Sequence, residues 1–409
     1  MGLKGRRTGV SGQPIYMGKR FNWDEFDRAR KAIYFEIVKS GVREVTLDFK
    51  RTEVVMPNGI APLVALVEHY KRAGVEFRIT PPFSVDLNRI ASLEGWFHAI
   101  DPSHFKAPES RGFNTLPLIH YTNDDELNDA VNRAIEVSLR QLSLARNVPD
   151  AFEWSLNELA GNVLHHAQGV GGYMQVSTFK SSSLLSITVV DAGIGVPASM
   201  RESFPDIRND RIAVEKAVQK GVTSKPHYGQ GNGLAGALAI ALQSGGYMSL
   251  TSGGGRLTTD GGRVTLRDFY PPIFGTVVEL QLPTDREIDL PAALGHRPSG
   301  YVEERYEQVI GTLRVEMAKC APTLGNRPTG EKVRNLIGNL LSSSPGSVVE
   351  VDFAGVQIIA SSFADEVFGK LFVSLGPLEY GSRLRFVGVN GMVKEIVNKA
   401  ILERVAQGM

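Results

Sequence analysis

Glu158 and Asn162 stand four residues apart in the segment 149–166, whose apolar positions recur at helical spacing. Side chains so spaced project from one helix face a turn apart. The carboxylate can take a proton from an attacking water or hydroxyl, and the amide oxygen can complete the octahedral shell of a Mg²⁺ that also touches phosphates. A solvated helix face is the plain alternative. Asp191 then closes the apolar strand 185–190 and is followed by Ala192-Gly193-Ile194-Gly195. Ligands of α/β folds gather at such strand ends. A carboxylate there can accept the exocyclic amine of adenine, while Gly193 and Gly195 let backbone approach the base without a Cβ; the same run also reads as a simple turn.

Gly229, Gly231 and Gly233 precede the apolar segment that begins at Leu234, so glycine amides and a helix N-terminus would face anionic phosphates. No strand leads into this loop and its spacing is Gly-Xaa-Gly-Xaa-Gly, which is not the dinucleotide fingerprint. The long connection between Asp191 and Gly229 ends in Gly221-Val222-Thr223-Ser224-Lys225-Pro226 and reads as a lid or as a disordered segment. Lys225 can reach a phosphate or stay solvated. Gly275-Thr276 completes the series. Together these pieces read as an ordered nucleotide pocket built without a P-loop.

The elements that must position them follow from composition and period. The chain has 409 residues, 42% hydrophobic and 22% charged, which suits a globular protein of several domains. A net charge of +1 gives no reason to invoke nucleic acid or an anionic membrane as an obligatory partner. The single cysteine, Cys320, excludes an internal disulfide and a Cys-rich zinc site, and no apolar run is long enough to span a bilayer, so a cytoplasmic location is expected. Composition shifts near 108–118 and across 283–300. The expected organisation is a flexible basic tail 1–13, a first domain 14–110, a central domain 111–285, a linker 286–300 and a last domain 301–409.

The first and last domains share a grammar of helix, strand, helix, strand. Aligning Leu47-Asp48-Phe49 with Val351-Asp352-Phe353 sets Pro57-Asn58-Gly59 opposite Ser361-Ser362-Phe363, as in a weak internal repeat. Between them, helices over 124–142 and 149–166, a hairpin over 172–190 and a glycine-led helix suggest a layered α/β sandwich.

The order and spacing of Glu158, Asn162, Asp191, Gly193, Gly195, Gly229, Gly231, Gly233 and Gly275-Thr276 resemble the boxes of the GHKL ATPase superfamily. That superfamily spans gyrase-type, chaperone-type, mismatch-repair, histidine-kinase and anti-sigma-factor ATP-binding domains. The resemblance covers roughly 116–283. It implies a two-layer α/β sandwich of the Bergerat type that binds ATP and Mg²⁺. By it, Glu158 is the base, Asn162 the Mg²⁺ ligand, Asp191 the adenine reader and Thr276 its helper, with Leu234 beginning the phosphate-facing helix. His165 falls where histidine kinases place a basic phosphate contact, and a structural histidine is the alternative. His166 matches a histidine common in anti-sigma serine kinases, whereas Thr223-Ser224-Lys225 echoes mismatch-repair lids.

The first domain resembles STAS domains, the fold of anti-sigma-factor antagonists, but carries Asn58 where that family has its phosphorylated serine. The last domain resembles a STAS-like family through Asp352-Phe353-Ala354-Gly355-Val356 and Ser361-Ser362-Phe363-Ala364-Asp365-Glu366, with Ser362 at the acceptor position. A phosphate on Ser362 would meet a helix N-terminus. Alternatively, Ser361 or Ser362 caps that helix, with Asp365 or Glu366 completing a capping box. Gly325 to Lys332 falls short of a P-loop, because its lysine is displaced and no strand feeds it.

These readings converge on an expected Mg-ATP-dependent switch with slow ATPase or serine-kinase-like activity, whose ordered lid signals to STAS-like domains that dock a protein partner. Many relatives dimerise, so a homodimer is an expectation too. The competing reading is a catalytically inactive scaffold acting through its STAS-like domains.

Overall fold

The computed structural model describes residues 12–108, 116–167, 169–222, 232–295, 301–309, 311–320 and 323–406. The fold is mixed α/β with several sheets, as expected. It divides into two compact units, one comprising Met1–Ala130, Leu156–Ser177 and Ser186–Gln281, the other Val131–Ser155, Thr178–Leu185 and Leu282–Met409.

The first unit opens with β1 (Ile15–Tyr16) and α1 (Trp23–Tyr34). Asn22 starts that helix: in extended backbone, its side chain accepts the Glu25 amide at 3.2 Å, satisfying a donor the helix cannot. There follow β2 (Glu44–Asp48), α2 (Pro57–Arg72) and β3 (Glu76–Thr80). β2 pairs in parallel with β1 and with β3, Asp48 lying opposite Thr80. Gly74, at φ +81°, lets the chain leave α2.

The central elements are β4 (Ile119–Tyr121), α3 (Asp124–Gln141), α4 (Val148–His166), β5 (Gly172–Phe179), β6 (Leu184–Asp191), α5 (Gly195–Ser203), α6 (Asp210–Ala217), α7 (Gly233–Ser244), β7 (Tyr247–Asp260) and β8 (Arg263–Pro283). Their five-stranded sheet runs β4-β5-β6-β8-β7. Period-two alternation sends neighbouring residues of β6 and β8 to opposite faces. Val189, Asp191, Thr276 and Val278 line a cavity on one face, whereas Val190 and Val277 join the core built around α1 and α2 on the other. Residues on either side of position 110 therefore share one hydrophobic core. His69 of α2 stacks on Phe274 with ring centres 3.6 Å apart, and Trp96 Nε1 donates to Gln175 Oε1 at 3.2 Å.

The second unit holds β9 (Glu307–Val309), β10 (Thr312–Glu316), α8 (Arg327–Ser343), β11 (Val348–Asp352), α9 (Ser361–Ala364) and β12 (Leu384–Val387). β10, β11 and β12 pair in parallel, and β9 joins β10 antiparallel. Asn326 caps α8 by accepting the Thr329 amide at 2.9 Å, so the stretch that falls short of a P-loop is a helix start. Buried Asn339 of α8 donates to the Leu139 and Leu142 carbonyls at 2.7 and 2.8 Å and accepts the Leu144 amide at 2.8 Å. It thereby satisfies carbonyls that the end of α3 leaves open.

The repeat read from sequence is present in the backbone. Asp48 Oδ1 accepts the Lys50 amide at 2.9 Å and Asp352 Oδ1 accepts the Ala354 amide at 2.8 Å. The next residues, Phe49 and Phe353, donate to the Thr80 and Val387 carbonyls, each at 2.9 Å. Helices α2 and α9 both begin nine residues after their aspartate, so Asn58 and Ser362 are each the second residue of a helix.

Candidate functional site

Helix α4 brings the first half of the site. Its apolar residues Leu156, Leu159, Ala160 and Val163 are buried, which turns the face bearing Glu158, Asn162 and His166 toward the glycine-led start of α7. Asn162 and His166 line the cavity, and His166 Nδ1 lies 3.2 Å from Ser199 Oγ of α5. Glu158 borders it: a Cβ on Gly233 would collide with Glu158 Oε2, so the carboxylate sits against the first residue of α7. The helix dipole favours an anion there. Burial nonetheless pushes the Glu158 carboxyl above the ordinary range, with His165 pulling it back. His165 itself is exposed and is not part of the cavity lining.

Strand β6 brings the second half. Asp191 is 5% exposed and lies at the end of the strand, where its Oδ1 accepts the Gly193 amide at 2.7 Å. Burial pushes its carboxyl up to about 6, against the opposing pull of the Gly193 amide and of the Thr276 hydroxyl and amide. Around it Val163, Val189, Val196, Met200, Leu234 and Val278 form apolar walls. One buried carboxylate among apolar walls can accept an N–H from a group seated between them.

Glycines at this site make room for neighbouring chain segments. A Cβ on Gly193 would strike Ala167, and one on Gly195 would strike Ser252 Oγ and the Gly275 carbonyl. Gly195 and Gly275 hold φ at +76° and +75°, and a Cβ on Gly275 would collide with the Asp191 carbonyl. These glycines let chain segments cross beside the cavity, and Gly195 is also part of its lining.

Sequence reasoning missed the residue that ties the crossing together. Ser252 Oγ accepts the Val196 amide at 2.8 Å, donates to the Gly275 carbonyl at 2.7 Å and lies 3.4 Å from Thr276 Oγ1. Only a serine before three glycines marked it, which is no signal. Ser199, Met200 and Val222 were missed as well.

The structure thus gathers Asn162, Asp191, Gly195, Gly233, Leu234 and Thr276 on one cavity, with Glu158 at its border and Gly193 behind Asp191. Thr223, Ser224, Lys225, Gly229 and Gly231 lie outside the described residues. No cluster of three or more His, Cys, Asp or Glu suited to a metal occurs among the described residues. A Mg²⁺ here would rest on Asn162 and on ligand oxygens.

At the second candidate position the capping expectation fails. Helix α9 has Ala360 as its N-cap and no side-chain cap, so Ser361 and Ser362 are its first two residues. Asp365 and Glu366 do not reach back to complete a box, because cations hold them. Asp365 pairs with Arg404 at 2.6 Å and Arg327 at 2.9 Å, and Glu366 pairs with Lys370 at 2.7 Å. Arg327 is a structural residue of this fold.

Residues 329–394 match a family described as a STAS-like domain of unknown function (DUF4325). The C-terminal part of the chain therefore carries a STAS-like domain, which spans α8, β11, α9 and β12. No curated protein matches the chain. No described helix is long and apolar enough to cross a membrane.

Proposed function

We propose that the first unit is a GHKL-type adenine-nucleotide site and that the protein is a Mg-ATP-dependent switch acting through STAS-like domains. One observation carries this reading: helix α4, the end of β6, the start of α7 and β8 converge on one cavity with a buried carboxylate at its base and a second carboxylate at the α7 N-terminus. Asp191, supported by Thr276 and Gly193, would accept the adenine amine. Asn162 would hold the metal and the α7 N-terminus would face the phosphates. The nucleotide, when bound, supplies a transferable phosphoryl group. Glu158 would take the proton from whichever hydroxyl attacks it.

The first domain is proposed to be STAS-like as well, because its Asp48 turn, parallel strands and helix start repeat those of the domain matched at 329–394. Asn58 cannot accept a phosphoryl group and is tied to Glu279, to which its Nδ2 donates at 3.2 Å. Signalling toward this domain would use β6 and β8, since each strand has one face on the cavity and the other in the α2 core.

The test is to follow the phosphate. The full chain is incubated with Mg-ATP while released phosphate and intact mass are measured. Phosphate release indicates an ATPase, and a single added phosphate that Ser362→Ala abolishes indicates self-directed kinase activity. Nucleotide binding with neither product leaves the switch without turnover; absence of binding overturns the reading.

A further inference from the structure

A second cavity in the first unit, independent of the nucleotide reading, is lined by arginines and a glutamate that form no ion pair among the described residues. Its volume is about 540 Å³ and its walls include Trp23, Asp24, Asn58, Arg256, Asp260, Arg267 and Glu279. Arg256 and Arg267 are direct cross-strand partners on β7 and β8. Like charges placed opposite one another are destabilising, and neither arginine has a carboxylate within ion-pair distance among the described residues. Arg256 is 3% exposed, lies 3.6 Å over the Trp23 ring, and donates to the Thr251 hydroxyl at 3.0 Å; its Nε has no partner among the described residues. A buried cation held only by hydroxyls and a ring is the environment in which an anion is most strongly recognised.

The lining is acidic as well, through Asp24, Asp260 and Glu279. Glu279 is 4% exposed and is met only by amide donors, Gln281 Nε2 at 2.7 Å and Asn58 Nδ2 at 3.2 Å. Asn58 Oδ1 is buried without a partner among the described residues. Arg256 and Glu279 feel each other's field without touching, and burial outweighs that field at both. The cavity lining therefore carries cationic and acidic groups side by side.

We propose that this cavity binds a small amphoteric ligand of the amino-acid class, its carboxylate on Arg256 and Arg267 and its ammonium on Glu279 and Asn58 Oδ1. The volume accommodates such a molecule. A ligand carrying both charges offers a partner to the arginines and to Glu279 at once.

The probes are the twenty standard amino acids at millimolar concentration, screened against the full chain by thermal shift and followed by calorimetry. Binding by a subset is expected to raise Tm by several degrees. Glu279→Gln keeps the shape and should weaken binding at least tenfold. Arg267→Met, at an exposed position, should do the same and carries the test if the Glu279 variant does not fold. No shift with any amino acid overturns the proposal. So does binding unchanged in both variants, or an equal shift from acetate or methylammonium alone.

Discussion

Thr276 and Val277 are consecutive on β8 and serve opposite faces of one sheet: Thr276 donates to the buried Asp191 carboxylate, and Val277 packs in the core around α2. A packing defect at Val277 should therefore be felt in the cavity it does not touch. Val277→Ala is expected to cost roughly 1–3 kcal/mol of stability in urea unfolding and to weaken ATP binding several-fold. Ile33→Val, in the same core but on α1 rather than on β8 itself, is the control and should leave affinity unchanged. Equal affinity in Val277→Ala and wild type would break the proposed link.

Asp191 makes stability depend on pH with a definite sign. Its folded pKa, about 6, lies above the unfolded value of about 3.9, so the folded state holds the proton more tightly. That contribution is full below pH ~4 and is lost as pH rises through ~6, by at most roughly 3 kcal/mol. Asp191→Asn lacks the titration. Without nucleotide, its stability relative to wild type should climb between pH 4 and pH 7; a difference that stays flat across that range contradicts the burial argument.

Glu158 is held above the ordinary carboxylate range by burial, and only its ionised form can serve as a base. Turnover of ATP should fall on acidification with an inflection above the ~4.3 of a free glutamate. Glu158→Gln should abolish turnover at every pH while keeping nucleotide affinity within a few-fold. Undiminished phosphate release in that variant removes Glu158 from the chemistry.

Helix α9 begins at Ala360, a position whose extended backbone suits a capping side chain that alanine lacks. Ala360→Ser should stabilise the protein by about 0.5–1 kcal/mol, whereas Ser362→Ala should change it by less than about 0.5 kcal/mol. Equilibrium unfolding decides. A large loss in Ser362→Ala would restore the serine as a structural cap.

Local signals explain what was legible beforehand. The helical spacing of 149–166 is written in adjacent residues, and the structure places α4 accordingly. The alignment of Asp48 with Asp352 was legible for the same reason, since each aspartate bonds its own second neighbour. What failed depends on distant partners. Two serines before an apolar residue look like a cap, but the buried Phe363 sets the helix phase and moves the cap to Ala360. The continuous apolar run in β6 announced burial on both faces without saying that α2 supplies the second.

The most direct measurement is calorimetric titration of the full chain with ATP, with and without Mg²⁺, beside Asp191→Asn. One ATP per chain is predicted, bound more tightly with Mg²⁺, with affinity at least tenfold weaker in a folded Asp191→Asn variant. No ATP binding by the wild type under either condition, or equal binding by Asp191→Asn, would contradict the assignment of this cavity.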